Sequence, residues 1–152
     1  MHFPAPVRRF APGVALGLAL GAGTFTFVYG RGTAYLTNNP AACANCHVMR
    51  EQFEGWQRSS HRSVAVCNDC HAPAALIPKY VTKGRNGFWH SYYFTTGGHP
   101  DNIQITPRDY DIAEAACQKC HATLTTTMAP GTPGHPTGCV RCHGAVGHRL
   151  RN

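Results

Sequence analysis

Eight cysteines fall in four pairs, Cys43/Cys46, Cys67/Cys70, Cys117/Cys120 and Cys139/Cys142, and each pair is followed at once by His47, His71, His121 or His143. No cysteine is left over. In Cys-x-x-Cys-His the two thiols add to the vinyl groups of a haem and the adjacent imidazole reaches the iron. The chemistry expected is covalent attachment of four haem c groups. Zinc is the serious rival, because twenty residues separate Cys46 from Cys67 and eighteen separate Cys120 from Cys139, close to zinc-ribbon spacing. A four-cysteine zinc site has no use for a following histidine, yet all four pairs carry one. Four disulfides, the other use of eight cysteines in an exported domain, leave the histidines equally unexplained.

Six-coordinate irons need a second ligand each. Outside the motifs and the first ten residues the histidines are His61, His90, His99, His135 and His148. His61 and His148 lie close to motifs, where short linkers limit their reach, and they are the favoured distal ligands. His99 and His135 each stand between glycine and proline, in turns, and are weaker candidates. Met49 follows His47 by two residues. Its thioether either fills a packing gap or binds the first iron, in place of His47 or opposite it, and raises its potential. The sequence leaves both open.

These groups need a scaffold, and the chain offers little for an ordinary one. It has 152 residues, with sixteen glycines and eleven prolines. A chain that short, with part of it apolar anchor, builds no deep side-chain core. Closely spaced haems replace it. The fold expected is mainly α with long loops: a single N-terminal transmembrane helix plus a compact multihaem cytochrome c domain of two two-haem halves. Motif starts at 43 and 67 form one half and those at 117 and 139 the other.

Residues 1–10 carry Arg8 and Arg9 and no acid. From Ala11 to Gly30 there is no charge, and Arg31 closes the run. At 1.5 Å per residue it is about 30 Å long, enough to cross a bilayer core. Positive charge before the span favours an inside N-terminus. The organisation expected is a cytoplasmic N-terminus at 1–10, a transmembrane anchor at 11–31 and a periplasmic domain at 32–152, on the bacterial inner membrane. A cleaved signal peptide would have a shorter apolar region and small residues near its end, where this chain has Phe25, Phe27 and Tyr29. Gly13, Gly17 and Gly21 share one helical face and allow self-association through it.

Residues 32–42 read as a connector ending in a turn, and Glu51–Ser60 as a short helix with Phe53 and Trp56 on one side. Ile77–Phe94 is basic and aromatic, holding Lys79, Lys83, Arg85, Trp89, His90, Tyr92 and Tyr93. That composition suits a segment lying at a lipid surface, or aromatics packed on haem faces. Residues 95–110 and 125–138 read as loops, and Asp109–Glu114 as an acidic helix start leading into the third motif. No strand shows alternation. The net charge of +7 is assigned in part to haem propionates. No nucleic-acid motif accompanies it, so nucleic acid is not an expected partner.

The pattern resembles the NapC/NirT/NrfH family of membrane-anchored quinol dehydrogenases. The matching stretches are Cys-His-Val-Met at 46–49, Ser-His at 60–61, Cys-Asn-Asp-Cys-His-Ala-Pro at 67–73, Gly-His-Pro at 98–100 and the tail histidine at 148. The short length and four motifs look most like the NrfH branch, the small subunit that feeds a cytochrome c nitrite reductase. The resemblance implies that Met49, not His47, binds the first iron and leaves its other face open towards menaquinol. It implies His61 and His148 as distal ligands, and a periplasmic multihaem reductase, nitrite reductase favoured, as partner. It also implies a lysine and, seven residues later, an aspartate near the open face. Here Lys83 is followed by His90, a departure. His90 either accepts a quinol proton or ligates the first iron and closes the site.

Overall fold

In the computed structural model the residues described are 5–125 and 138–149, with side chains from Phe10 onward. The chain divides into two units, Met1–Thr33 and Ala34–Asn152. Helix α1 (Ala5–Tyr29) makes up most of the first. It begins before the uncharged run and continues through Pro12. Its segment Phe10–Tyr29 is long and apolar enough to cross a membrane, and none of it is buried within the protein. The helix stops at a tight turn. Gly30 N–H donates to Thr26 O at 2.8 Å, and Arg31 then adopts a φ of 51°, a left-handed conformation that cannot extend an α-helix.

The second unit is helical, with no strand among the described residues. A 3-10 turn at Gly32–Leu36 leads to α2 (Pro40–Cys43). Asn39 caps α2, its Oδ1 accepting from Ala41 N–H at 3.0 Å, and Pro40 occupies the first helical position, where its missing N–H costs nothing. Helix α3 (Arg50–Gln57) follows, then α4 (Cys67–His71) and α5 (Leu76–Thr96). Helix α5 ends at Gly97, whose φ of 69° and bonds back to Phe94 O make a left-handed cap, a conformation glycine adopts without penalty.

Helix α6 (Pro107–Cys120) carries the third motif, α7 (Ala122–Thr125) is one turn, and α8 (Cys139–His143) carries the fourth. Thr106 caps α6, accepting from Asp109 N–H at 3.2 Å and donating to Asp109 Oδ2 at 2.7 Å. That cap, with Pro107 behind it, starts the helix at the end of the expected 95–110 loop. The loop is shortened to 97–106 because α5 runs two residues further than its aromatic pattern suggests. His135 and most of the expected 125–138 loop lie outside the described residues.

Side chains build little interior. The buried apolar residues among those described are Ala72, Ala113 and Ala116, where α4 meets α6. Thr82, Lys83 and Glu114 are buried as well. The large apolar side chains Phe88, Trp89, Tyr92, Tyr93 and Phe94 stand exposed along α5.

Candidate redox centre

The four motifs take two local forms. Three of them place a short helical turn under both cysteines. Helix α4 is Cys67–His71, α8 is Cys139–His143, and α6 ends at Cys120 with His121 as its C-cap. Residues three apart on a helix share a face, so each pair of thiols points to one side. The first motif is split. Cys43 closes α2, while His47 opens a separate 3-10 turn, His47–Met49. His47 is exposed and Met49 half-buried.

The segments pack in chain order: α2 on α4, α4 on α6, α6 on α8. The Cys43 and Cys67 thiols share a hydrogen bond. Cys70 lies within electrostatic reach of Cys120, and Cys117 within reach of Cys139 and Cys70. The hydrogen bond with Cys67 pulls Cys43 down to about 7, burial opposes it and the Lys83 ammonium assists. Cys67 is pushed up by the same bond.

Two pairs of imidazoles stand opposite one another, one nearly parallel and one crossed. The His71 and His148 ring centres are 5.9 Å apart, and those of His61 and His121 are 6.1 Å apart. Two imidazole nitrogens at about 2 Å from one shared metal set their ring centres roughly 6 Å apart. The pairs therefore fit the two faces of an iron. Gly55 on α3 admits the tail, since a Cβ there would lie 3.1 Å from His148 Cβ. His148 Nδ1 is buried with no protein partner. Ser60 Oγ sits 3.1 Å from His61 Nδ1, which holds that ring by its other nitrogen. Beside α6 a cleft of about 400 Å³ is walled by Ala72, Pro73, Ile112 and Ala116 with Arg108, Lys119 and one acid, Asp111, at its edge, an apolar bed with more cations than acids. Among the described residues no ring contact joins His47 or His143 to another imidazole. His99 stacks on Phe94, ring centres 6.4 Å apart, and Phe94 meets His47 edge-on at 6.1 Å.

Lys83 and His90 lie on α5 under a strap formed by the connector. Lys83 is 7% exposed and its Nζ donates to Thr37 O at 2.7 Å. Asn68 Nδ2 also donates to Thr37 O, at 3.1 Å, tying the strap to the second motif. Tyr35 packs over Gly87, where a Cβ would approach its ring to 3.2 Å, and its hydroxyl reaches His90 Nδ1 at 3.2 Å. Burial pushes the Lys83 ammonium below the ordinary lysine range, and neighbouring Lys79 pushes the same way. Although His90 as a residue is exposed, desolvation of its ring holds the imidazole below its usual value, with Asp109 opposing. Tyr35 is pushed up to about 12 by burial and then by Cys46 and Cys43, so its hydroxyl stays protonated.

The sequence reading missed Tyr35, Thr37 and Gly55. Their roles rest on contacts between distant segments. The only local signal was the Asn-Asn-Pro turn, which hints that the connector doubles back.

A chain whose described residues are helical and without strands, and which lines up four Cys-x-x-Cys-His turns with two motif imidazoles each opposite a second imidazole, is a multihaem-type cytochrome c. It belongs to the NapC/NirT cytochrome c family, whose N-terminal region matches residues 6–152. It is similar to the cytochrome c-type protein NrfH of Wolinella succinogenes, 34% identical over 146 residues, covering 89% of this chain and 82% of that one. It is also similar to the cytochrome c nitrite reductase subunit NrfH of Nitratidesulfovibrio vulgaris, 30% identical over 147 residues, covering 95% and 86%. Among solved structures it resembles a chain of the cytochrome c nitrite reductase NrfHA complex bound to the inhibitor HQNO. The TM-score is 0.65 at 28% identity, covering 91% of this chain and 92% of that one.

Proposed function

We propose that this chain is a membrane-anchored quinol dehydrogenase that oxidises menaquinol and delivers the electrons to a periplasmic cytochrome c nitrite reductase. The observation that carries this reading is the strap that bonds Lys83 and His90 of α5 through Thr37 and Tyr35 and runs directly into the first, split motif. The resemblance to NrfH chains supports the partner.

Four haem c groups are held by Cys43, Cys46, Cys67, Cys70, Cys117, Cys120, Cys139 and Cys142. When bound they supply one-electron couples in series. Met49 would ligate the first iron, because it is half-buried and has a donor atom, unlike half-buried Val48, while His47 is exposed. His71 and His148, 5.9 Å apart, would hold the second iron, and His121 and His61, 6.1 Å apart, the third. His143, next to Cys142 in the fourth motif, would hold the fourth.

Oxidation of menaquinol to menaquinone releases two electrons and two protons. His90 is neutral near pH 7 and accepts a proton at the ring nitrogen that Tyr35 leaves free. Lys83, whose ammonium donates to Thr37 O, gives up one of its own protons to solvent and takes the second from the quinol. The exposed aromatic face of α5, with Lys79 and Arg85, lies at the headgroup level of the bilayer. Residues 1–10 are cytoplasmic, 11–31 cross the inner membrane and 32–152 lie in the periplasm. The face of Gly13, Gly17 and Gly21, where an added Cβ meets nothing within 4 Å, is open to a second helix.

The test of the partner is direct. The full-length chain in menaquinol-loaded vesicles is mixed with a purified nitrite reductase catalytic subunit, and nitrite consumption is followed. Quinol-dependent consumption is expected. Reduced haems without consumption would assign the chain to a different reductase.

A further inference from the structure

Glu114 is 5% exposed and sits on α6, three residues ahead of Cys117. Its Oε2 accepts from Cys139 N–H at 2.8 Å and its Oε1 from Val140 N–H at 2.7 Å. These are the first backbone donors of α8, which has no side-chain cap of its own. Uncapped donors at a helix start need an acceptor. In the second motif a local acid serves the helix start one residue earlier, Asp69 accepting from the N-cap Val66 N–H at 2.9 Å. The fourth motif has only Val140 and Arg141 between its cysteines. A carboxylate from the helix bearing the third motif takes the role instead.

The fit is close. Tyr110, one turn before Glu114, adds its hydroxyl to the carboxylate. Gly138 is buried against both: a Cβ there would lie 2.7 Å from Glu114 Oε1 and 2.8 Å from Tyr110 Oη. The turn reaches Glu114 only as glycine.

The carboxylate is charged. Burial pushes its pKa up, but the Val140 and Cys139 N–H groups, the Cys139 thiol and the Tyr110 hydroxyl together bring it below the ordinary value. With Cys139 alkylated, the two backbone donors and Tyr110 remain. The charge acts on both Cys117 and Cys139, the anchor points of two haems. A fixed anion at a partly desolvated site favours oxidised iron over reduced iron.

We propose that Glu114 is a positioning residue that locks the fourth haem-binding turn onto the third, and that its charge lowers the potentials of the third and fourth haems. This rests on the four-haem reading and not on the identity of the quinol or the partner.

The test uses full-length holoprotein. Intact mass first counts the haems, and anything other than four in the unaltered chain would overturn the four-haem reading itself. Spectroelectrochemical titration then compares it with Glu114→Gln and Glu114→Asp. In Glu114→Gln, two of four midpoints are expected to move up and the other two to stay. Glu114→Asp, which keeps the charge, restores them towards the starting values. Four unmoved midpoints, or four moved equally, would overturn the proposal. Gly138→Ala gives a second test that leaves every charge in place. Its Cβ displaces the turn, so the electron paramagnetic signal of one haem changes; an unchanged spectrum contradicts the locking role even if Glu114→Gln fails to assemble.

Discussion

The His71 and His148 imidazoles lie nearly parallel, their planes 14° apart, whereas His61 and His121 cross at 66°. One ring of each pair belongs to a motif, and the other comes from the tail or from the loop after α3. The angle has a spectroscopic consequence. Parallel axial ligands split the iron d-orbitals that carry the unpaired electron, and crossed ligands leave them nearly degenerate. The oxidised protein is expected to show one ordinary rhombic low-spin signal and one with a much larger maximum g value. His148→Ala removes the first and His61→Ala the second, each giving a high-spin signal in its place. Loss of both signals from one substitution would contradict the pairing.

Met49 is expected to set the potential of the first haem. A thioether ligand raises it relative to histidine. Met49→His therefore moves one midpoint down in a redox titration and leaves the other three in place. His47→Ala, an exposed position, leaves the first iron's ligation unchanged by magnetic circular dichroism.

The quinol reaction is expected to fail on the acid side. His90 accepts a proton only when neutral, and its pKa lies below the ordinary 6.5. The rate of menaquinol-driven haem reduction therefore stays level above that value and falls as pH drops beneath it. His90→Gln flattens this limb and lowers the rate by about 10²-fold, the smaller end of a general-base contribution. Tyr35→Phe shifts the limb without removing it, because it takes away one partner at Nδ1.

Two backbone positions bear on stability. Gly97 holds a φ of 69° at the end of α5, and Gly97→Ala is expected to cost about 1 kcal/mol, read as a lower Tm of the holoprotein. Glu114 acts through pH. Its folded pKa is depressed, so its contribution is complete above the unfolded carboxylate range and is lost as pH falls through the folded value. Thermal scans from neutral to acid pH should show a loss that Glu114→Gln lacks.

Much of this was legible in the sequence. The four motifs fix haem attachment through local spacing alone, and the uncharged run from Ala11 fixes the apolar helix. Phe53 and Trp56 marked α3, where Trp56 Nε1 donates to Ala65 O at 2.9 Å. His61 and His148 stood out in the sequence as candidate ligands because short linkers confine them, and each lies about 6 Å, ring centre to ring centre, from a motif histidine. Which motif histidine each meets was not legible, because that depends on how α4 and α6 pack and on Gly55 admitting the tail. Tyr35 and Glu114 left no periodic trace, as each acts on a segment far away in the chain. The extent of α5 was understated because Thr95 and Thr96 carry no hydrophobic signal, yet their hydroxyls bond back to Ser91 O and Tyr92 O at 2.8 Å.

The central claim is that this chain takes electrons from quinol itself. The most direct measurement is stopped-flow haem absorbance of the full-length protein alone in lipid vesicles, mixed with menaquinol. The account predicts haem reduction with no second protein present, slowed by Lys83→Met and by His90→Gln. No reduction until another membrane protein is added would contradict it.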